Sequence, residues 1–256
     1  MDAIHAMDPA PRRVCFFATC LVDALLPQVG RASLTVLKRQ GLEVDLRPGQ
    51  VCCGQSLYKA GHPAQAASVG AAWVRAFSGA ELIVSPSGSC VAHVRHTLPG
   101  LLAAWPGHSD LAAEAQRLAG VTYELSQFLY RVLAVRPAPG RAPARPWTYH
   151  PSCGLHRSLG EDEAPQALLA SLPGPPARQL PRSPKCCGFG GPFSVTHPGL
   201  SAAMLADKLA AARESGAQVL VVGDVGCLLH LSCGVAERGG GLEVVHLSQV
   251  LSGEVA

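Results

Sequence analysis

The doublet Cys-Cys-Gly occurs twice in the chain, at Cys52-Cys53-Gly54 and at Cys186-Cys187-Gly188, and each copy lies between two further cysteines. The sets are Cys20, Cys52, Cys53 and Cys90, then Cys153, Cys186, Cys187 and Cys227. The first cysteine precedes its doublet by 32 residues in one set and 33 in the other, and the last follows it by 37 and 40. Eight of the ten cysteines are thereby accounted for. Two four-thiol sets repeated in register point to two soft-metal sites, because thiolate sulfur is a soft ligand that suits iron–sulfur clusters and zinc. Buried structural thiols or disulfides are the alternative reading.

Sequence around the cysteines repeats as well. LIVSPSGSCVAHV at 82–94 matches VLVVGDVGCLLHL at 219–231, with a Cys at the ninth place and a His three residues later in both. VCFFATC at 14–20 and WTYHPSC at 147–153 are each a short β-rich run ending in cysteine. Apolar patterning predicts strands at 13–18, 42–46, 81–85, 146–150, 218–222 and 243–246. It predicts helices at about 25–40, 63–77, 110–134, 161–171, 199–215 and 247–251. This alternation predicts an α/β fold of two tandem pseudo-repeat lobes, each a small, mostly parallel sheet covered by helices. RPAPGRAPARP at 136–146 is expected to link a first lobe at 14–135 to a second at 147–256, with residues 1–13 as a disordered tail.

The remaining composition narrows the function classes. Net charge is only +3 and the basic residues are scattered, so no nucleic-acid footprint is visible. No apolar run reaches membrane-spanning length and no export signal is evident, so a soluble cytoplasmic protein with reduced thiols is expected. No Ser-His-Asp pattern and no dinucleotide-binding glycine fingerprint is present.

Adjacent cysteines diverge along an extended backbone, so they reach two irons of a cluster more readily than one tetrahedral ion. The pattern therefore tilts towards clusters while leaving zinc open. His93 and His230 follow Cys90 and Cys227 by three residues, either as additional metal donors or as ordinary helix-start or core histidines. His150 and His156 flank Cys153, as donors to a cluster sulfur or as plain loop residues. Asp23, Asp224, Arg157 and Arg182 read as solvated charges. Cys15 and Cys233 have no counterparts in the other half, and Cys15 reads as a small buried hydrophobe.

Taken together, FFATCLVDAL, VCCGQSLYKAGH, SPSGSC, YHPSC, CCGFGGPFSV and VVHLSQVL resemble the CCG-domain proteins. That superfamily includes the CCG-bearing component of heterodisulfide reductase and the iron–sulfur subunit of glycolate oxidase. The likeness is nearest to the lactate utilization protein A family and runs from about Val14 to the end. It implies an iron–sulfur electron-transfer subunit of a multi-protein complex oxidising L-lactate to pyruvate, accompanied by lactate utilization proteins B and C. It further implies that the eight cysteines hold clusters, [4Fe-4S] in each lobe, with zinc in the first lobe as a variant. Heterodisulfide reductase-type domains end each set in Cys-x-x-Cys, whereas here His93 and His230 stand at those last places. Ordinary four-iron clusters are therefore expected in place of noncubane ones. A related subunit of a glycolate or other 2-hydroxy-acid oxidase or of a heterodisulfide-reductase-like complex, and a zinc-stabilised scaffold without redox function, are the competing readings.

Overall fold

Two parallel sheets organise the chain. The computed structural model describes residues 11–255. The expected tail falls mostly outside that range, and Arg13 already opens the first strand.

The first half runs β1 (Arg13–Phe16), α1 (Cys20–Ala24), α2 (Pro27–Arg39), β2 (Glu43–Asp45), α3 (Gln55–Lys59) and α4 (Pro63–Phe77). It continues through β3 (Ile83–Ser85), α5 (Gly88–His96), α6 (Leu98–Ala104), α7 (Ala112–Gly120), β4 (Thr122–Glu124) and α8 (Leu125–Gln127). A π-helical turn, Phe128–Val132, extends α8. The second half runs β5 (Trp147–His150), a π-helical stretch Gly154–Leu159, α9 (Glu163–Ala170), α10 (Phe193–Thr196) and α11 (Pro198–Glu214). It closes with β6 (Val219–Val222), α12 (Val225–Glu237), β7 (Glu243–His246) and α13 (Leu247–Ser252).

Strand order is β2-β1-β3-β4 in the first sheet and β5-β6-β7 in the second, with every pairing parallel. A single parallel bridge from Thr148 to Arg178 occupies the place of β2 in the second half. β3 and β6 are buried at every residue, as strands covered on both faces must be. Pro27, Pro63 and Pro198 open α2, α4 and α11, where a missing N–H costs nothing and the fixed φ suits the first turn.

The predicted helix over 110–134 is instead α7, β4 and α8. Gly120 ends α7, and Thr122 and Tyr123 then pair with β3. Three residues are too few to show an alternating pattern in sequence. Helices α5, α6 and α12 also lie outside the predicted set. The strand predicted at 218–222 is β6, and Asp224, which accepts a hydrogen bond from the Gly226 N–H, caps α12 directly after it.

The halves are interleaved. Val22, Leu26 and Val29 of the α1–α2 region pack among Leu205, Leu209, Leu228 and Leu231 of the second half. Val36 and Leu37 of α2 share a core with Leu247, Val250 and Leu251 of α13, and Arg39 donates to the Ser252 carbonyl at 2.7 Å. Reciprocally, the π-helical stretch after β5 lies against α5, and α9 lies against α8 and its π-helical turn. Segment 136–146 has no regular structure, yet Ala138 and Ala142 are buried in the shared core.

Candidate metal centre

Short loops carry the chain from each strand's carboxyl end into a helix, and the cysteines sit on those corners. Cys20 opens α1 after β1, Cys153 follows β5, and Cys90 and Cys227 lie in the first turns of α5 and α12 after β3 and β6. In a parallel sheet this is the edge where helix N-termini and loops converge. Each Cys-Cys-Gly loop reaches the same edge from the side.

Sulfurs far apart in the chain meet within each set. Cys20 Sγ lies 3.7 Å from Cys52 Sγ, and Cys187 Sγ lies 3.3 Å from Cys227 Sγ. The Gly54 and Gly188 N–H groups each point at the preceding doublet's first sulfur, Cys52 and Cys186, at 3.4 Å. Gly54 (φ +88°) and Gly188 (φ +95°) are left-handed, and a Cβ would stand 2.9 Å from the Ala66 carbonyl oxygen or 2.7 Å from that of Ser201. Only glycine lets the loop lie this close to its helix.

Hydrogen bonds from Cys20 and then Cys53 pull the Cys52 thiol well below its ordinary range, and Cys153 and then Cys187 do the same to Cys186. The partners Cys20 and Cys153 are pushed up, first by those same bonds and then by burial. Each half thus holds one sulfur poised as a thiolate, the form that binds metal.

Both sets open onto one cavity of about 120 Å³, lined by all eight cysteines with Gln55, Ser89, Phe189 and Asp224 among others. A larger cleft of about 700 Å³ lies beneath the proline-rich loop at 173–183 and includes none of the eight.

The histidines behave differently from one another. His93 is buried in α5, with Nε2 lacking a hydrogen-bond partner, and burial lowers its pKa to about 4. His230 is partly exposed, with Nε2 3.3 Å from Ser201 Oγ. Neither belongs to a tight donor set among the described residues. His150 does: its ring nitrogen and the Cys187 and Cys227 sulfurs all lie within 4.8 Å of one another. It is fully buried at the end of β5, both ring nitrogens lack partners, and burial followed by the nearby Lys208 charge lowers its pKa to about 3. His156 instead pairs with Asp162 at 2.6 Å.

Asp224 corrects an expectation: it is 4% exposed, not solvated. Its carboxylate accepts from the Ser89 N–H at 2.9 Å across the two halves, as well as capping α12. Asp23, Arg157 and Arg182 are exposed as expected, and Arg182 pairs with Glu214 and Asp207. Lys208, which cysteine spacing does not mark, is 2% exposed on α11, and its Nζ has no partner. A signal is present in the sequence: Lys208 falls on the buried stripe Ser201, Leu205, Lys208, Leu209, Ala212, at helical spacing.

These residues fit a thiolate-held metal or cluster. Four soft donors meet in each half, backbone N–H groups already point at sulfur, and buried donors stand without partners beside them. The shared cavity exceeds several-fold the roughly 10–15 Å³ that one water requires.

A duplicated parallel α/β unit with a cysteine corner at each strand end defines a class, and the cysteine-rich domain family CCG matches the chain twice, at residues 14–95 and 147–232. Lactate utilization protein A of Halalkalibacterium halodurans is 39% identical over 240 residues, covering 94% of this chain and 96% of its own. Proteins of the same name from Geobacillus kaustophilus and Bacillus cereus (strain AH187) are 39% and 40% identical, covering 94% of this chain and 98% of theirs. The chain belongs to the lactate utilization protein A family. The fold is shared with a hypothetical protein from Helicobacter pylori, whose crystal structure superposes with a TM-score of 0.63 at 13% identity. That match covers 94% of this chain and 48% of the other.

Proposed function

We propose that the chain is the iron–sulfur electron-transfer subunit of a multi-protein complex that oxidises L-lactate to pyruvate in the cytoplasm. The observation that carries this reading is the meeting of two complete four-thiol sets on one cavity. Cys20, Cys52, Cys53 and Cys90 would hold one cluster, and Cys153, Cys186, Cys187 and Cys227 the other. A four-iron cluster, when bound, supplies a one-electron carrier whose potential is set by hydrogen bonds and charge around its sulfurs. Oxidation of a 2-hydroxy acid to a 2-oxo acid releases two electrons and two protons, so two such carriers match the reaction.

The chain's own residues do three things in this scheme. Gly54 and Gly188 donate N–H groups to sulfur. Apolar walls that include Phe17, Trp73 and Phe77 in one half and Leu205 and Leu228 in the other keep water from the buried sulfurs. Asp224 ties the halves together at the cavity. The sites resemble a relay more than a substrate pocket, and lactate utilization proteins B and C would provide the remaining components. No helix among the described residues is long and apolar enough to cross a membrane.

Anaerobic purification with assay of iron, acid-labile sulfide and zinc tests the reading. About eight iron and eight sulfide per chain are expected for two four-iron clusters. About four of each with one zinc would assign zinc to one half, and Cys52→Ser against Cys186→Ser would say which. Zinc alone after anaerobic reconstitution, or rapid lactate oxidation by the isolated chain, would overturn the proposal.

A further inference from the structure

The two centres share a plan but not their surroundings. Phe17 of the first half corresponds to His150 of the second, each three residues before the first cysteine of its set. Trp73 corresponds to Lys208, because α4 and α11 open at Pro63 and Pro198 and each residue stands ten places further on. The pairing holds in space: Gly54 abuts Ala66 of α4 as Gly188 abuts the corresponding Ser201 of α11. In the first half Phe17 and Trp73 meet edge to face at 5.5 Å and form an apolar wall behind Cys53. In the second half the same two positions carry a fully buried imidazole and a buried amine, neither with a hydrogen-bond partner.

Neither His150 nor Lys208 lines the cavity. They lie behind the thiols on the protein side, so they act on the centre itself and not on a substrate. Burial pulls the Lys208 amine below its ordinary range, and the sulfurs of Cys187 and Cys227, then the Asp207 carboxylate and Cys186, pull it back. An unpaired amine in an apolar interior is costly, so an anion must offset it; Asp207 is already paired with Arg182 and Lys185, and the sulfur-ligated centre is the other adjacent anion. Asp224 is the opposing charge on the cavity side, standing where the first half has Ser87. Its carboxylate is already taken up by Ser89 N–H, Gly226 N–H and, at 3.5 Å, the Ser87 hydroxyl.

We propose that Lys208 and His150 make the second-half centre the electron-accepting end of the relay, at a higher potential than the first-half centre. The proposal rests on the iron–sulfur reading above. A buried positive charge and an N–H donor behind a centre stabilise its reduced, more negative form; the first half has an aromatic wall at those positions, its cation at the cavity, Lys59, is exposed, and its His93 is matched by His230 in the second half. The step is a one-electron transfer: the first-half centre is oxidised as the second-half centre is reduced, and no bond is broken.

An EPR-monitored redox titration of the whole, anaerobically reconstituted chain tests this, with Cys186→Ser assigning the signals by removing the second centre. Two midpoints are expected, the higher belonging to the second half. Lys208→Met should lower that midpoint by about 59 mV, a tenfold change in the reduced-to-oxidised ratio, and leave the other unmoved at unchanged iron content. Equal midpoints in the parent chain, or a variant in which both or neither move, would overturn the proposal. If Lys208→Met does not retain iron, His150→Phe, which installs the first half's residue, is judged by the same criterion. A parent chain that binds no iron would overturn the iron–sulfur reading itself, a result distinct from unmoved midpoints in a loaded protein.

Discussion

Glu124 and His246 occupy matching places, the last residues of β4 and β7, and each caps the following helix with its side chain. Their titrations pull stability in opposite directions. Burial raises the Glu124 carboxyl from its ordinary 4.5 to about 7, against hydrogen bonds from Ser126 and Gln127. A raised folded-state value means that the fold prefers the protonated acid. Its contribution is full below pH 4.5 and is lost as pH rises through about 7, a swing of about 3 kcal/mol. Burial lowers His246 from 6.5 to about 4, so its contribution is full above pH 6.5 and is lost as pH falls through about 4. Its Nδ1 accepts the Ser248 N–H at 3.1 Å, which only the neutral ring can do. Urea unfolding followed from pH 4 to 8 should show Glu124→Gln losing the decline between 4.5 and 7, and His246→Gln losing the decline on the acid side. At this scale the eight thiols were legible because cysteine spacing is chemistry written directly in sequence. Lys208 and Asp224 were not, because a charged residue is read as solvated until its neighbours are known.

The two Cys-Cys-Gly loops show what an element requires of its backbone. Gly188→Ala would force an L-residue into the left-handed region, at about 1–2 kcal/mol, and drive its Cβ to 2.7 Å from the Ser201 carbonyl oxygen. Gly239→Ala (φ +81°) carries the same backbone strain with nothing within 4 Å of the new methyl. Thermal melting and iron assay should therefore separate the two: both variants melt lower, but only Gly188→Ala loses about half of the bound iron. Most strands and the long helices were readable from apolar periodicity and opening prolines. β4 was too short for its period to register, and α12 went unmarked beyond a predicted strand that ended correctly at 222. Both misreadings occur where tertiary pairing, rather than local pattern, decides the backbone.

Across the molecule, the duplication was visible in sequence but the interleaving was not, since offsets between cysteines say nothing about which half a helix covers. Val36 and Leu37 need Leu247, Val250 and Leu251 across the shared core, and truncating one such leucine typically costs about 2–5 kcal/mol. Residues 14–135 expressed alone are expected to melt without a cooperative transition, and to recover one when 136–255 is supplied; a cooperative melt of the isolated piece would contradict the shared core. The reciprocal packing, with α2 on α13 and α9 on α8, is the pattern of a two-fold, self-complementary contact between identical subunits. In a true homodimer any substitution beside one centre is copied beside the other. Enclosing both copies in one chain lifts that constraint, so Phe17 and Trp73 could stay apolar while their mates became His150 and Lys208. In the proposed relay a direction for electrons requires two unlike ends, which the fused chain has and a homodimer cannot.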